Sequence, residues 1–328
     1  MPDNPRHIVL PELPAIPGLT FRQVRGVAEL NGIAAVMNAS LAADRSRERI
    51  TAEGLATAYR HATRCDLQQD ALLVEINGRL TGYASMERYE VDDGSCLYSI
   101  LLYLVPEWRG RGLELAMQRY MEQRARIAAA ARPDGSPHSF ASLVPDTWQA
   151  WIDMLFAQGY APVRYYFEMQ RSLDGDLPAV CLPAGLELRP PLPEHYRAVW
   201  QADVESDRDN WGHVAHSEED YCAWVETPDL DPSLWCVAWD GDQVAGGAIN
   251  VAHEGGWGET DDLFVRRPWR RRGLGRALLA ASLHVFKTCG LTTAGLGVDA
   301  ENPSGAVRLY ESLGYRPYQR LASYRKPM

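Results

Sequence analysis

The segment Arg270-Arg271-Arg272-Gly273-Leu274-Gly275 lies between an apolar run, Leu263-Phe264-Val265, and a helical pattern that opens at Arg276. A strand, a basic glycine-rich turn and a helix, in that order, can hold a pyrophosphate. The first N–H groups of a helix lack partners inside it and form an anion site. Glycine at 273 and 275 keeps side chains away from phosphate oxygens. The backbone at Leu274 and the charges of Arg270, Arg271, Arg272 and Arg276 complete the expected cradle. The turn is not a Walker loop, which needs Gly-Lys-Ser/Thr. Nor is it the G-x-G-x-x-G turn of dinucleotide folds.

The pattern is R-x-x-G-x-G, and a second element follows it: Asn302-Pro303-Ser304-Gly305-Ala306-Val307-Arg308-Leu309-Tyr310-Glu311-Ser312-Leu313-Gly314-Tyr315. Together the two resemble the GNAT acetyltransferases. In that family the first element binds the pyrophosphate of acetyl-coenzyme A, and the second flanks its pantetheine arm and thioester. The resemblance therefore implies acetyl-CoA as co-substrate, with Asn302 and Ala306 along the arm. It implies an α/β (α+β) fold: two tandem GNAT domains, each a mixed, mostly antiparallel central sheet flanked by helices.

Acetyl transfer to an amine sets definite needs. The amine must lose a proton before it attacks, and the departing thiolate benefits from an acid. The carbonyl oxygen gains charge and needs a donor, and the thioester must be held in line. The resemblance implies a backbone donor from Leu263, Phe264 and Val265, and Tyr310 as the acid. It also implies a base six residues before Val265, which is Glu259. Gly258-Glu259 and the double layout are similar to those of the mycothiol synthases. Asp261 is the reserve base, because strand side chains repeat direction every two residues. The plainer alternatives are an exposed strand residue at 259 and a core aromatic at 310.

Residues 203–231 carry ten acidic groups against one base, Arg208, with Trp211, Tyr221 and Trp224 interleaved. In the family this region walls the acceptor, and acid with aromatics suits a small cationic amine. A solvated acidic helix face has the same composition. Three functions follow: a small-molecule N-acetyltransferase, a mycothiol synthase-type acetylation of a cysteinyl pseudo-disaccharide, or a non-catalytic acetyl-CoA-binding module. The last needs neither Glu259 nor Tyr310.

The elements that position these residues occur twice. Trp108-Arg109-Gly110-Arg111-Gly112-Leu113 mirrors Trp269-Arg270-Arg271-Arg272-Gly273-Leu274, 161 positions on (270 − 109). Phe156-Ala157-Gln158-Gly159-Tyr160 mirrors Glu311-Ser312-Leu313-Gly314-Tyr315, 155 on (314 − 159). A near-constant offset indicates a duplicated domain, and the spacing predicts domains over 1–176 and 177–328. Each copy reads as an opening strand (19–24, 186–188), two helices (26–44 and 50–65, 193–207 and 217–226) and a hairpin. The hairpins turn at Asn77-Gly78 and Asp240-Gly241. Asn302 suits a helix N-cap with Pro303 inside it, and Gly314 suits the C-terminal stop. The offsets place Tyr98 opposite Glu259, Leu155 opposite Tyr310 and Glu114 opposite Gly275. The first copy therefore reads as catalytically degenerate.

Composition narrows the partners. A formal net charge of −10 argues against nucleic acid. No run approaches the roughly 20 apolar residues of a membrane span, and residues 1–19 are proline-rich without a leader pattern. The expectation is a cytoplasmic protein with a small-molecule amine acceptor. Six scattered cysteines without C-x-x-C predict reduced thiols and no metal.

Overall fold

A computed structural model describes residues 8, 10, 14–131 and 135–328. The proline-rich start of the chain, read above for a leader, lies mostly outside the described residues. The chain divides into two compact units. Unit 1 comprises residues 1–165 and 321–328, and unit 2 comprises 166–320. The sequence reading had placed the division at 176/177. Punctuation by glycine and proline marks loops, whereas this division runs through two strands.

Unit 1 contains β1 (Leu19–Arg22), α1 (Leu30–Ala43), α2 (Ala52–Arg60), β2 (Ala71–Ile76), β3 (Arg79–Glu90), β4 (Cys96–Leu104), α3 (Leu113–Ala130), β5 (His138–Pro145) and α4 (Gln149–Ala157). The strand β6 (Ala161–Ser172) then leaves for unit 2. There follow β7 (Glu187–Leu188), α5 (Tyr196–Asp207), α6 (Glu218–Val225), β8 (Cys236–Asp240), β9 (Gln243–His253), β10 (Trp257–Val265), α7 (Leu274–Thr288), β11 (Thr293–Asp299) and α8 (Ala306–Ser312). The last strand, β12 (Arg316–Pro327), returns to unit 1. Strand order is β1-β2-β3-β4-β5-β12 in unit 1 and β6-β11-β10-β9-β8-β7 in unit 2. Both sheets are mixed and mostly antiparallel, with β4–β5 and β10–β11 as the parallel pairs. Each unit thus ends its sheet with a strand that follows the last helix of the other.

Local chemistry explains most element ends. Asn77 and Gly78 both have positive φ and close the first hairpin, as a two-residue turn matched to strand twist requires. In the second hairpin Asp240 pairs with Gln243, so the turn is Gly241-Asp242, one residue later than read. Helix α8 stops with Gly314 at φ 89°, where Tyr315 N–H donates to Tyr310 O and Gly314 N–H to Glu311 O. Its start differs from expectation. The helix opens at Ala306 behind Gly305, not at Asn302. The Asn302 side chain instead accepts from Ser304 N–H at 2.9 Å. An amide bonded two residues ahead makes a turn that competes with helix.

Both sheets are covered on two faces. In unit 2, Val199 and Ala202 of α5 pack with Ile249 and Phe264 on one face. Leu274, Leu278 and Ala281 of α7 pack with Ala248, Leu263 and Val265 on the other. No helix among the described residues is long and apolar enough to cross a membrane. At Gly295 the indole of Trp257 occupies the place of a side chain, and an added Cβ would lie 1.8 Å from Trp257 Cζ2. Gly295→Ala is therefore expected to destabilise unit 2 by about 1–3 kcal/mol through overpacking. The midpoint of urea unfolding, followed by tryptophan fluorescence, measures this; an unchanged midpoint would show that Trp257 moves aside freely.

Candidate active site

β10 carries the site because it parts from one neighbour and keeps the other. It pairs with β9 along its whole length, but with β11 only at Trp257–Thr293, Gly258–Ala294 and Glu259–Gly295. β11 continues along β6 to Asp299. The β11-facing backbone edge of β10 beyond Glu259 therefore has no ladder partner. Leu263, Phe264 and Val265 lie on that edge.

Unit 2 adds a bulge at this point. Thr260 pairs with Asn250, but Asp262 pairs with Ile249, so Asp261 is the extra residue. The period-two argument that put Asp261 on the face of Glu259 stops at Thr260. By pairing, the residues sharing Glu259's face are Asp262 and Phe264, which look toward α5. A buried network fixes the position of the bulge. Asn250, fully buried, accepts from Thr260 Oγ1 at 2.9 Å and donates to Leu234 O at 2.8 Å and Ser282 Oγ at 3.0 Å.

Glu259 is a quarter exposed, and its Oε2 lies 3.2 Å from Nε2 of His253. His253 closes β9 opposite Trp257, so strand alternation turns it to Glu259's face. The hydrogen bond to Glu259 holds the imidazole above its ordinary value against the opposing effect of burial. His253 was missed in the sequence. Its signal was the Glu254-Gly255-Gly256 turn, which sets the register that brings His253 and Glu259 together.

Three more carboxyls gather on the α5 side. Burial, then Asp261 and Asp207, push Asp262 up to about 7. Asp203 is raised well above the usual range by burial and then by Asp262. Asp261 is reached by solvent yet crowded by protein, and its carboxyl is raised first by that crowding and then by Glu259. Much of the remaining acid in 203–231 is spent on structure. Glu205 pairs with Arg266, Asp209 with Arg267 and Arg270, and Glu218 with Arg197. Asp220 and Asp231 cap their own turns.

At the basic turn, Gly273 has φ 87° and open space where a side chain would stand. Gly275 would meet Val265 and Leu309 at 3.7 Å, so the turn, the end of β10 and α8 converge there. Arg270 does not face the turn. Its guanidinium donates to Val265 O, Ser206 O and Asp209, tying β10 to the end of α5. Arg109 makes the equivalent tie to Leu104 O, Ser40 and Asp44 in unit 1. Arg271, Arg272 and Arg276 are exposed around the turn, Arg272 touching Ala184 O and Arg276 touching Ser312 Oγ. Tyr310 is buried on α8, and burial pushes its phenol up to about 12. Ala306 and Leu309 pack in the same cluster.

Unit 1 repeats the turn with a side chain folded into it. The counterpart of Gly275 is Glu114, which turns inward, not away. Its Oε1 accepts from Gly110 N–H at 2.7 Å and from Trp148 Nε1 at 3.5 Å. The protein's own carboxylate thus occupies the anion position, and Pro14 lies 3.8 Å from where a Cβ of Gly112 would be. The β3–β4 ladder has no bulge. The 161 offset therefore fails before the bulge, and the residue matching Glu259 by register is Ser99, not Tyr98. Tyr98 points to the opposite face, buried among Ile100, Leu102 and Met117. Leu155, opposite Tyr310, is fully buried.

The profile of the family described as "Acetyltransferase (GNAT) family" matches residues 196–315. A mycothiol acetyltransferase of Thermomonospora curvata is 28% identical over 283 residues, covering 82% of this chain and 90% of that protein. Another, of Acidothermus cellulolyticus, is 30% identical over 255 residues, covering 73% of each. A crystal structure of a GCN5-related N-acetyltransferase from Sphaerobacter thermophilus superposes with a TM-score of 0.74 and 26% identity over 97% of both chains. A tandem GNAT protein from the clavulanic acid biosynthesis pathway shares the fold, with a TM-score of 0.66.

The contrast between the two turns yields a direct test. Gly275→Glu places in unit 2 the side chain that fills unit 1. Acetyl-CoA affinity is expected to fall at least tenfold, about 1.4 kcal/mol, with one binding site per chain in the parent protein. Calorimetry finding two equivalents bound, or no change with Gly275→Glu, would contradict the assignment of the open turn.

Proposed function

This chain belongs to the acetyltransferase (GNAT) family, and from that premise we propose that unit 2 moves an acetyl group from acetyl-CoA to the primary amine of a small cationic molecule. The observation that carries the reading is the open space at Gly273 in the basic turn, beside the unladdered edge of β10. Pyrophosphate sits on the N-terminus of α7, with Arg271, Arg272 and Arg276 around it. The pantetheine arm runs along the free backbone of β10, past the turn at Asn302 and the start of α8 at Ala306. A backbone N–H in Leu263-Phe264-Val265 supports the oxygen of the tetrahedral state.

Glu259 and His253 act together as the base. The ammonium proton passes to the dyad, the free amine attacks the thioester carbon, and the C–S bond breaks as the tetrahedral state collapses. Tyr310 gives its proton to the departing sulfur as acid, and the proton that the new amide nitrogen loses on collapse restores the phenol. Its raised value keeps the phenol protonated at neutral pH, which a donor needs. Asp261, which solvent reaches, is placed to draw a cationic acceptor to that face, while burial holds Asp203 and Asp262 toward their neutral, hydrogen-bonding form.

A second reading rests on the named relatives. Mycothiol acetyltransferases align over most of this chain, and the acceptor on that reading is a cysteinyl pseudo-disaccharide. Comparing kcat/KM for that compound with a panel of polyamines and amino sugars separates the two.

The dyad accepts a proton only when His253 is neutral. Because Glu259 raises His253, the acid limb of the rate should inflect above the ordinary histidine value of about 6.5. Glu259→Gln should lower the neutral-pH rate by roughly 10²-fold, with partial recovery as pH approaches the amine's own pKa. A parallel loss at every pH would make Glu259 an acceptor-binding residue.

Tyr310→Phe keeps the packing and removes one hydroxyl. It should lower kcat by about 10²-fold while acetyl-CoA still binds. An unchanged kcat would return Tyr310 to the core.

A further inference from the structure

Asp207, His213 and His216 form a second cluster of chemically able groups, between the end of α5 and the start of α6. Asp207 is the last residue of α5. The chain turns back at once, with Asn210 N–H donating to Asp207 O at 2.8 Å. That turn brings Nδ1 of His213 to 2.7 Å from Asp207 Oδ2, and Nε2 of His216 to 3.9 Å from the same oxygen. One ligand atom from each of the three lies within 4.8 Å of the others. His213 is buried, His216 is exposed, and Asp207 is between these extremes.

The donor set is specific. Two imidazoles and one carboxylate, with a further position open, form a ligand set of zinc-type sites. The second oxygen of Asp207 is already held, since Asn210 Nδ2 donates to Oδ1 at 2.7 Å. A bond of that kind orients a carboxylate so that its other oxygen meets a metal. Trp200 stands edge-on to His216 with ring centres 6.2 Å apart, which limits the swing of the exposed imidazole.

We propose that Asp207, His213 and His216 bind one divalent metal ion of the zinc class, with an open position left for water. Metal–ligand distances of about 2.0–2.2 Å place tetrahedral ligand atoms roughly 3.3 Å apart. The two separations from Asp207 lie on either side of that value, each differing from it by roughly half an ångström, and the two imidazole ligand atoms lie within 4.8 Å of each other. The proton shared by His213 and Asp207 leaves to solvent as the metal enters. The scattered cysteines predict no metal, but this donor set uses none of them; its spacing is D-x5-H-x2-H. The site does not depend on which amine is acetylated.

The test uses the full chain, stripped with chelator and titrated with zinc in a calorimeter and with cobalt(II) in a spectrophotometer. The expected result is one equivalent per chain at micromolar or tighter Kd, with four-coordinate cobalt bands and no thiolate charge-transfer band. His216→Ala and Asp207→Asn should each weaken binding at least tenfold and abolish the rise in Tm that zinc gives the parent protein. Cys181→Ser and Cys289→Ser, at the two exposed thiols, should leave binding unchanged. Tm without metal checks that the variants fold; the parent chain's cobalt spectrum decides the ligand type even if one does not. Absence of stoichiometric uptake, uptake indifferent to His216→Ala and Asp207→Asn, or a thiolate band would each overturn the proposal.

Discussion

The hydrogen bond from Thr260 to Asn250 is the contact on which the site geometry rests. Asn250 is wholly buried, so each of its polar atoms must find a partner or cost about 1–3 kcal/mol. It finds them on β10, on α7 and in the segment before β8. With Thr260 pinned, the extra residue of the bulge falls at Asp261 and nowhere else. Side-chain direction then changes parity, so Glu259 and Asp262 face the same side although they are three positions apart. The same point ends the ladder to β11, leaving backbone groups free just where the strand approaches the basic turn.

The two units show how one backbone can keep or lose an anion site. Arg271 and Gly110 both take the left-handed conformation, and Gly273 and Gly112 follow with nearly the same φ. Among the differences, the one that fills the turn is the side chain at 114. A carboxylate at 114 satisfies the N–H of Gly110 and the indole of Trp148 from within. A hydrogen at 275 leaves the corresponding groups to a ligand. What the two units share at this turn is a shape, and Arg109 and Arg270 serve that shape by tying the strand end to the first helix region of each unit.

Much of this was legible in the sequence, and the boundary of legibility is physical. Asn77-Gly78, the Gly273 turn and the Gly314 stop were readable because each depends on the dihedral preference of one or two residues. The tandem duplication was readable because it repeats such signals at a near-constant offset. The bulge at Asp261 was not, because an inserted residue carries no mark until its partner strand is known. Tyr98 was consequently matched to Glu259 in place of Ser99. Arg270's tie to Asp209, the His253–Glu259 pair and the meeting of His213 with Asp207 likewise depend on where the chain returns. Asn302 failed for a different reason: two local bonding patterns compete there, and the turn prevails over the helix cap.

The exchange of end strands has a consequence for the order in which the chain is made. Residues 321–327 pair with β5 and finish the sheet of unit 1. On a ribosome, the first unit would emerge with β5 as a bare edge and keep it until residues 321–327 had followed. An unpaired edge invites pairing with the wrong neighbour. Lys326 also reaches the buried Glu122 from this late strand, adding an ammonium to the contacts that Tyr160 and Arg126 already make. The two halves repeat one another in sequence, yet the first cannot be finished before the second.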